Sequence, residues 1–402
     1  FSFLITATAF SQTGKSDRSS LSMIYLDYND SYSVPISNLF PRFSLDSKYD
    51  INKIMTECIR VNEKRTKADQ HGYYQAPDRT QDIQAFLNNH NTGKEIISYL
   101  FNRNSLTGEM STERIYERGL YNVSDQNIQE SRATKRGLEG LKDQGFSLIG
   151  NCHMMIVDYA NIRYEYKKGD DNGDYYWYAT PAAYLFKIEW NEQLQNKLFD
   201  CWIDENTPLA ERKNKKIAFD KLYIPVKFII RVTDDSRSEC TGIEEQQRKI
   251  NNGGKRKHSN DELKENAFNK MILMATDYLG ERIEDKYESF QIQNSVYAIH
   301  PIRAKIGKKE GVGVNDRYFV YEHIAKNDHS TKLARKGVVK ATTHIAENKK
   351  IATGNSPTTE FYQIAGGRLE EGMTLKEKQS YYINLDLGYR YGELEGIYAG
   401  IN

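Results

Sequence analysis

The chain has 402 residues, 39% of them apolar and 28% charged, a composition that folds and excludes disorder over most of its length. That length provides for two or three domains, each able to bury a core of its own. Lys and Arg (56) nearly cancel Asp and Glu (55), so no global field draws the protein to nucleic acid or anionic lipid, and a general nucleic-acid binder is disfavoured.

Residues 1–11 read as the remnant of a secretory signal peptide. Phe1-Ser-Phe-Leu-Ile-Thr-Ala-Thr-Ala-Phe10 supplies the apolar core, and Ala9-Phe10-Ser11 a small-x-small site with cleavage before Gln12. The alternative is a buried first strand. No Met or basic stretch precedes Phe1, which reads as a fragment lacking its true start. The absence of a Cys after the cleavage site argues against a lipoprotein anchor, and no apolar run of about 18 residues marks a membrane helix. The expected location is therefore outside the cytoplasm, in the periplasm or at the outer membrane. Cys58, Cys152, Cys201 and Cys240 are widely spaced without a C-x-x-C pair. They do not read as a zinc site, and both disulfides and buried thiols stay open.

Residues 12–79 read as an irregular segment with short apolar groups such as Met23-Ile-Tyr-Leu26. An α+β domain is expected over 80–288. It opens with helical spacing at Ile83, Phe86, Leu87, Ile96, Ile97, Leu100 and Phe101. Strands follow over Phe146–Tyr159 and Ile162–Tyr166, with a hairpin turn in Gly169-Asp-Asp-Asn-Gly-Asp174. Tyr184, Phe186, Ile188 and Trp190 then alternate with more polar neighbours. Helices around Gln193–Trp202 and Leu209–Phe219 precede a strand at Leu222–Val232. Residues 234–259 are polar and turn-rich and read as an exposed loop. Asn260 opens a long helix to Lys286. The high Tyr content, 28 residues, favours sheet throughout.

From 289 to 378 the sequence becomes short strands broken by Gly, Asn and Asp turns: Ser295–Ile299, Arg317–Ile324, Arg335–Ile345 and Phe361–Ala365. Strands at this spacing predict a small β-barrel. Three runs carry a resemblance: Gly311-Val-Gly-Val-Asn-Asp-Arg-Tyr-Phe-Val-Tyr321, Arg335-Lys-Gly-Val-Val-Lys-Ala341 and Ile364-Ala-Gly-Gly-Arg-Leu-Glu-Glu-Gly-Met373. They are similar to the small β-barrel modules of bacterial envelope proteins, such as the C-terminal domain of flagellar assembly protein T. The whole chain also resembles uncharacterised Bacteroidetes exported cell-envelope proteins. These resemblances imply export and a barrel module, and carry over no functional residue.

The last segment, 379–402, alternates strictly. Tyr381, Ile383, Leu385, Leu387 and Tyr389 form an apolar row against Tyr382, Asn384, Asp386, Gly388 and Arg390, and Ile397, Ala399 and Ile401 continue it after a turn. This pattern fits an amphipathic hairpin that opens an outer-membrane barrel and faces lipid with its apolar row.

No constellation names a reaction. Cys152 and His153 are adjacent in a predicted strand, so they face opposite sides and cannot form a dyad. Thr13-Gly-Lys-Ser16 lacks the first glycine of a phosphate loop, since Ala9 stands there. His323, His329 and His344 match no metal-ligand spacing. The carboxylate pairs Asp234-Asp235, Glu244-Glu245 and Glu370-Glu371 fall in loops, where nothing raises a carboxyl pKa for acid-base work. Tyr176, Trp177 and Tyr178 are candidates for stacking on a sugar or peptide, against the plainer reading that they pack on both faces of a strand. The basic group Lys255-Arg-Lys257 reads as solvated loop.

The fold class expected is α+β, a mixed helix and sheet domain followed by a small β-barrel. The function expected is a non-catalytic structural, assembly or binding protein of the cell envelope, without cofactor or metal, whose partner is an envelope protein or polymer. A soluble secreted binding protein is the alternative, and a hydrolase of envelope polymers the third reading.

Overall fold

A computed structural model describes residues 19–40, 49–65, 76–115, 149–167, 174–234, 236–240, 253, 260–325, 331–348, 357–378, 385–390 and 396–401. Residues 1–11, read above as a signal-peptide remnant, the phosphate-loop-like Thr13–Ser16, Asp235, Glu244-Glu245, Lys255–Lys257, His329, Tyr381 and Ile383 lie outside these residues.

Strand β1 (Ser20–Asp27) is buried along its whole length. It runs parallel to β2 (Asp50–Ile51) and β3 (Cys58–Arg60) on one edge and to β4 (Cys152–Lys167) on the other. The expectation of an irregular segment over 12–79 is thereby corrected. Met23–Leu26 is the centre of a parallel strand, and because both of its faces are covered it shows none of the alternation that marks a half-exposed strand. β4 turns into antiparallel β5 (Asp174–Ile188), which pairs in turn with β6 (Val226–Thr233) and β7 (Ser236–Cys240). β7 lies within the stretch read as exposed loop. Backbone pairing to the outer half of β5 suffices to hold a polar sequence in a strand.

The resulting seven-stranded sheet is covered on both faces. Helices α2 (Thr80–Asn89), α3 (Thr92–Leu100), α4 (Glu192–Asp200) and α5 (Leu209–Lys221) pack on one face, where Ile83, Leu87, Ile97, Leu198 and Phe219 meet Met154, Ile156, Tyr184 and Phe186. Helices α1 (Ser33–Leu39) and α6 (Asn260–Lys286) pack on the other, where Ile36, Leu39, Met271, Ile272 and Leu279 meet Met155, Val157, Tyr159 and Leu185. The strand period of two sends alternate β4 residues to the two cores. Burying each large apolar side chain in these cores contributes about 1.5–3 kcal/mol.

A 3-10 turn at Glu288–Phe290 leads from α6 into a closed antiparallel barrel. Its strands are β8 (Gln293–Ile299), β9 (Ile302–Ala304), β10 (Arg317–Ala325), β11 (Thr331–Ala341), β12 (Thr359–Gly366) and β13 (Thr374–Lys378), in the order β10-β11-β12-β9-β8-β13. Tyr318, Val320, Val339, Phe361 and Leu375 fill its interior. The fold is thus α+β with a small β-barrel. β9 escapes a sequence reading because it is three residues long, and β13 because Thr-Leu-Lys-Glu-Lys is mostly polar. Gly366 ends β12 at φ +107°, and a Cβ there would stand 2.2 Å from the Lys336 carbonyl oxygen. Only glycine fits this close approach of β12 to β11.

β14 (Leu385–Arg390) and β15 (Gly396–Ile401) form a separate two-stranded antiparallel sheet. Its register sets Leu385 opposite Ile401, Leu387 opposite Ala399 and Tyr389 opposite Ile397, so apolar positions oppose apolar positions across the pair.

Candidate ligand groove at the carboxyl edge of the parallel strands

β1 sends the chain to β2 on one side, whereas β4 joins it on the other. In open α/β sheets such a reversal of strand order leaves a crevice at the carboxyl ends of the strands. Here buried polar side chains fill it. Asp158, fully buried on β4, accepts a hydrogen bond from the Tyr28 hydroxyl at 2.8 Å, and its second oxygen lies 3.8 Å from Arg79 Nε. Burial raises the Asp158 carboxyl above its usual range, outweighing Tyr28 and the guanidinium groups of Arg79, Arg65 and Arg231. Burial and the same carboxylate push the Tyr28 hydroxyl up.

The same cluster ties distant segments together. Arg79 donates to Glu63 at 2.8 Å, Arg231 donates to the Ala76 carbonyl, and the Tyr184 hydroxyl donates to the Pro77 carbonyl at 2.7 Å. Arg65 grips Asp30 with two nitrogens, at 2.7 and 3.2 Å, and donates to the Tyr159 carbonyl. Burial opposes charge on Asp30, but these hydrogen bonds with Arg65 hold its carboxyl below the usual range. Asp30 also accepts the Tyr32 backbone N–H at 3.0 Å. The Arg65 guanidinium lies 4.4 Å from the Tyr28 ring centre and 5.8 Å from that of Tyr32. The loop between β1 and α1 is therefore fixed from both sides, and Tyr32 with it.

With the crevice filled, open space lies beside it, between α1 and α6. A groove of about 640 Å³ is lined there by Tyr32, Pro35, Asn38, Trp177, Lys264 and Asn269, among others. Trp177 is its aromatic anchor. The indole Nε1–H donates to the Lys264 carbonyl at 3.0 Å, and the ring meets Tyr32 edge-on at 6.1 Å and Phe268 at 5.1 Å. Tyr32 stacks on Phe268 at 5.9 Å, so the wall is rigid before any ligand arrives.

No family model matches this chain, and no curated protein matches it in sequence. The site must be read from its own geometry.

Of the aromatic candidates, the structure places Trp177 in the groove and turns Tyr176 and Tyr178 to the opposite face of β5, where their ring centres lie 6.1 Å apart and Arg163 covers Tyr178 at 4.5 Å. The three do not form one platform. Cys152 and His153 do face opposite cores. The His153 Nδ1–H donates to the Asn151 carbonyl at 2.8 Å, and Nε2 accepts from the Tyr287 hydroxyl at 3.0 Å. Cys58 and Cys201 are free thiols. His344 is exposed beside Glu360, Asp234 pairs with Arg282, and no group of three or more His, Cys, Asp or Glu among the described residues is placed to hold a metal ion. Among those residues no helix is long and apolar enough to cross a membrane.

Sequence reasoning missed Tyr28, Arg65, Arg79, Asp158 and Arg231. One signal was present: Asp158 interrupts the apolar run Met154-Met-Ile-Val157, and a carboxylate in a strand buried on both faces requires partners.

Proposed function

We propose that this chain is a non-catalytic binding or assembly protein of the cell envelope, which faces the periplasm and holds an envelope protein or polymer in the groove between α1 and α6. The observation that carries the reading is Trp177, anchored by its indole N–H at the mouth of a preformed groove of ligand size beside the strand-order reversal. Export is supported by the signal-like pattern of residues 1–11 and by the resemblance to exported envelope proteins. The terminal hairpin supports attachment to the outer membrane: an isolated two-stranded sheet is marginal in water, and the apolar-on-apolar register of β14 and β15 calls for further strands, lipid or a partner surface.

Purified protein should co-sediment with insoluble envelope material from its native cell and release no soluble fragments from it, while the Trp177→Ala variant stays in the supernatant. Fragment release by the wild-type protein would establish the hydrolase reading in place of this one. The product of the complete gene should also require detergent for extraction. Its recovery in a detergent-free soluble fraction would favour the secreted binding protein and remove the membrane role of Leu385, Leu387 and Tyr389.

A further inference from the structure

We infer that the groove beside Trp177 takes a neutral saccharide of one or two rings; this rests on the reading of the groove as a binding site and adds its ligand class. Four observations converge. The groove volume, about 640 Å³, falls in the range of small-molecule sites. Its wall includes the rings of Trp177 and Tyr32, both in contact with Phe268. The negative face of an aromatic ring attracts the weakly positive C–H face of a pyranose.

Charge is balanced at the site. Among the described residues, its ionised lining side chains are Lys264 and Glu265, and the Lys264 ammonium lies 5.3 Å from the centre of the Tyr164 ring. A site without excess charge selects a neutral ligand over a phosphate, a sulfated polymer or a chain terminus. Its remaining polar groups include Asn38 on α1 and Asn269 on α6. Each amide offers donors and an acceptor, which matches hydroxyl groups that both donate and accept.

The fourth observation weighs against a peptide. Extended peptides gain affinity by adding a strand to a free sheet edge. At Trp177 both edges of β5 are occupied, by Tyr164 of β4 and by Ser238 of β7. Strand addition to β5 is thereby closed to a peptide, and the rings and side-chain amides of the groove remain for recognition.

The test uses the full chain and three probes, cellobiose, maltose and N,N′-diacetylchitobiose, titrated at millimolar concentration while tryptophan emission and calorimetric heat are followed. At least one should bind. Asn38→Ala and Asn269→Ala should each weaken that binding about three- to tenfold, the effect of one neutral hydrogen bond, with the circular dichroism spectrum and melting temperature unchanged. Trp177→Ala should abolish it. If none of the three sugars binds while a proline-rich peptide or an anionic sugar does so in a Trp177-dependent way, the ligand class is overturned and the groove stands. If none binds, and Asn38→Trp, which fills the groove, leaves co-sedimentation with envelope material intact, both the ligand class and the groove reading fall.

Discussion

Replacing Arg79 by methionine should destabilise the α+β domain by about 3–5 kcal/mol at pH values where Asp158 is ionised, the usual cost of stranding a buried charge. Asp158 is fully buried, and Arg79, itself nearly buried, approaches it at 3.8 Å. The methionine supplies volume without charge, so the loss comes from the carboxylate and not from a cavity. Because Asp158 already titrates above the usual range, removing Arg79 raises it further. A group whose folded pKa is raised favours the fold when protonated. The variant's deficit should accordingly be greatest above that raised pKa and shrink as pH falls through it. Urea denaturation across that range reads both quantities. The double variant Arg79→Met, Asp158→Leu should recover most of the stability. A double variant as weak as the single one would show that the charges themselves, and not their pairing, hold residues 76–79 against the sheet.

Acidification should unfold the wild-type protein partly through His153. Burial, assisted by the nearby Lys187 ammonium, lowers this imidazole to about 3. It packs against Tyr287 and Phe290 and accepts a hydrogen bond on Nε2 that the protonated ring could not accept. The unfolded chain binds the proton near pH 6.5 and the folded chain does not, so the stabilisation is complete above about pH 6.5 and is lost progressively as pH falls toward the folded value. The slope is about 1.4 kcal/mol per pH unit for one proton. His153→Gln has no such proton to bind, and its stability should fall with a slope shallower by that amount. Asp158 acts in the opposite direction, so the comparison is between wild type and variant at each pH, by urea midpoints. Equal slopes would mean that His153 accepts its proton in the folded state.

Local chemistry was legible wherever one face of an element meets water. The spacing of Ile83, Leu87, Ile96 and Ile97 marked α2 and α3, and the Gly-bounded strands after residue 289 marked the barrel. In each case the periodicity arises from half-burial and is written in the sequence itself. β1 lacked that signal because both of its faces are covered.

The groove and the polar cluster behind it were decided only by the tertiary structure. Parallel pairing of β1 with β4 joins segments separated by a long crossover, and this brings Tyr28, Arg65, Arg79 and Arg231 around Asp158. No spacing rule links those positions. Trp177 was visible as an aromatic, but its partners Tyr32 and Phe268 come from the residue that precedes α1 and from α6, and these helices meet only because both pack on the same face of the sheet. The sequence by itself determined which residues are apolar, where chain direction reverses and which faces need cover. Which covered faces meet, and where a gap is left between them, follows from the packing of elements far apart in the chain, because close packing is satisfied in space and not along the sequence.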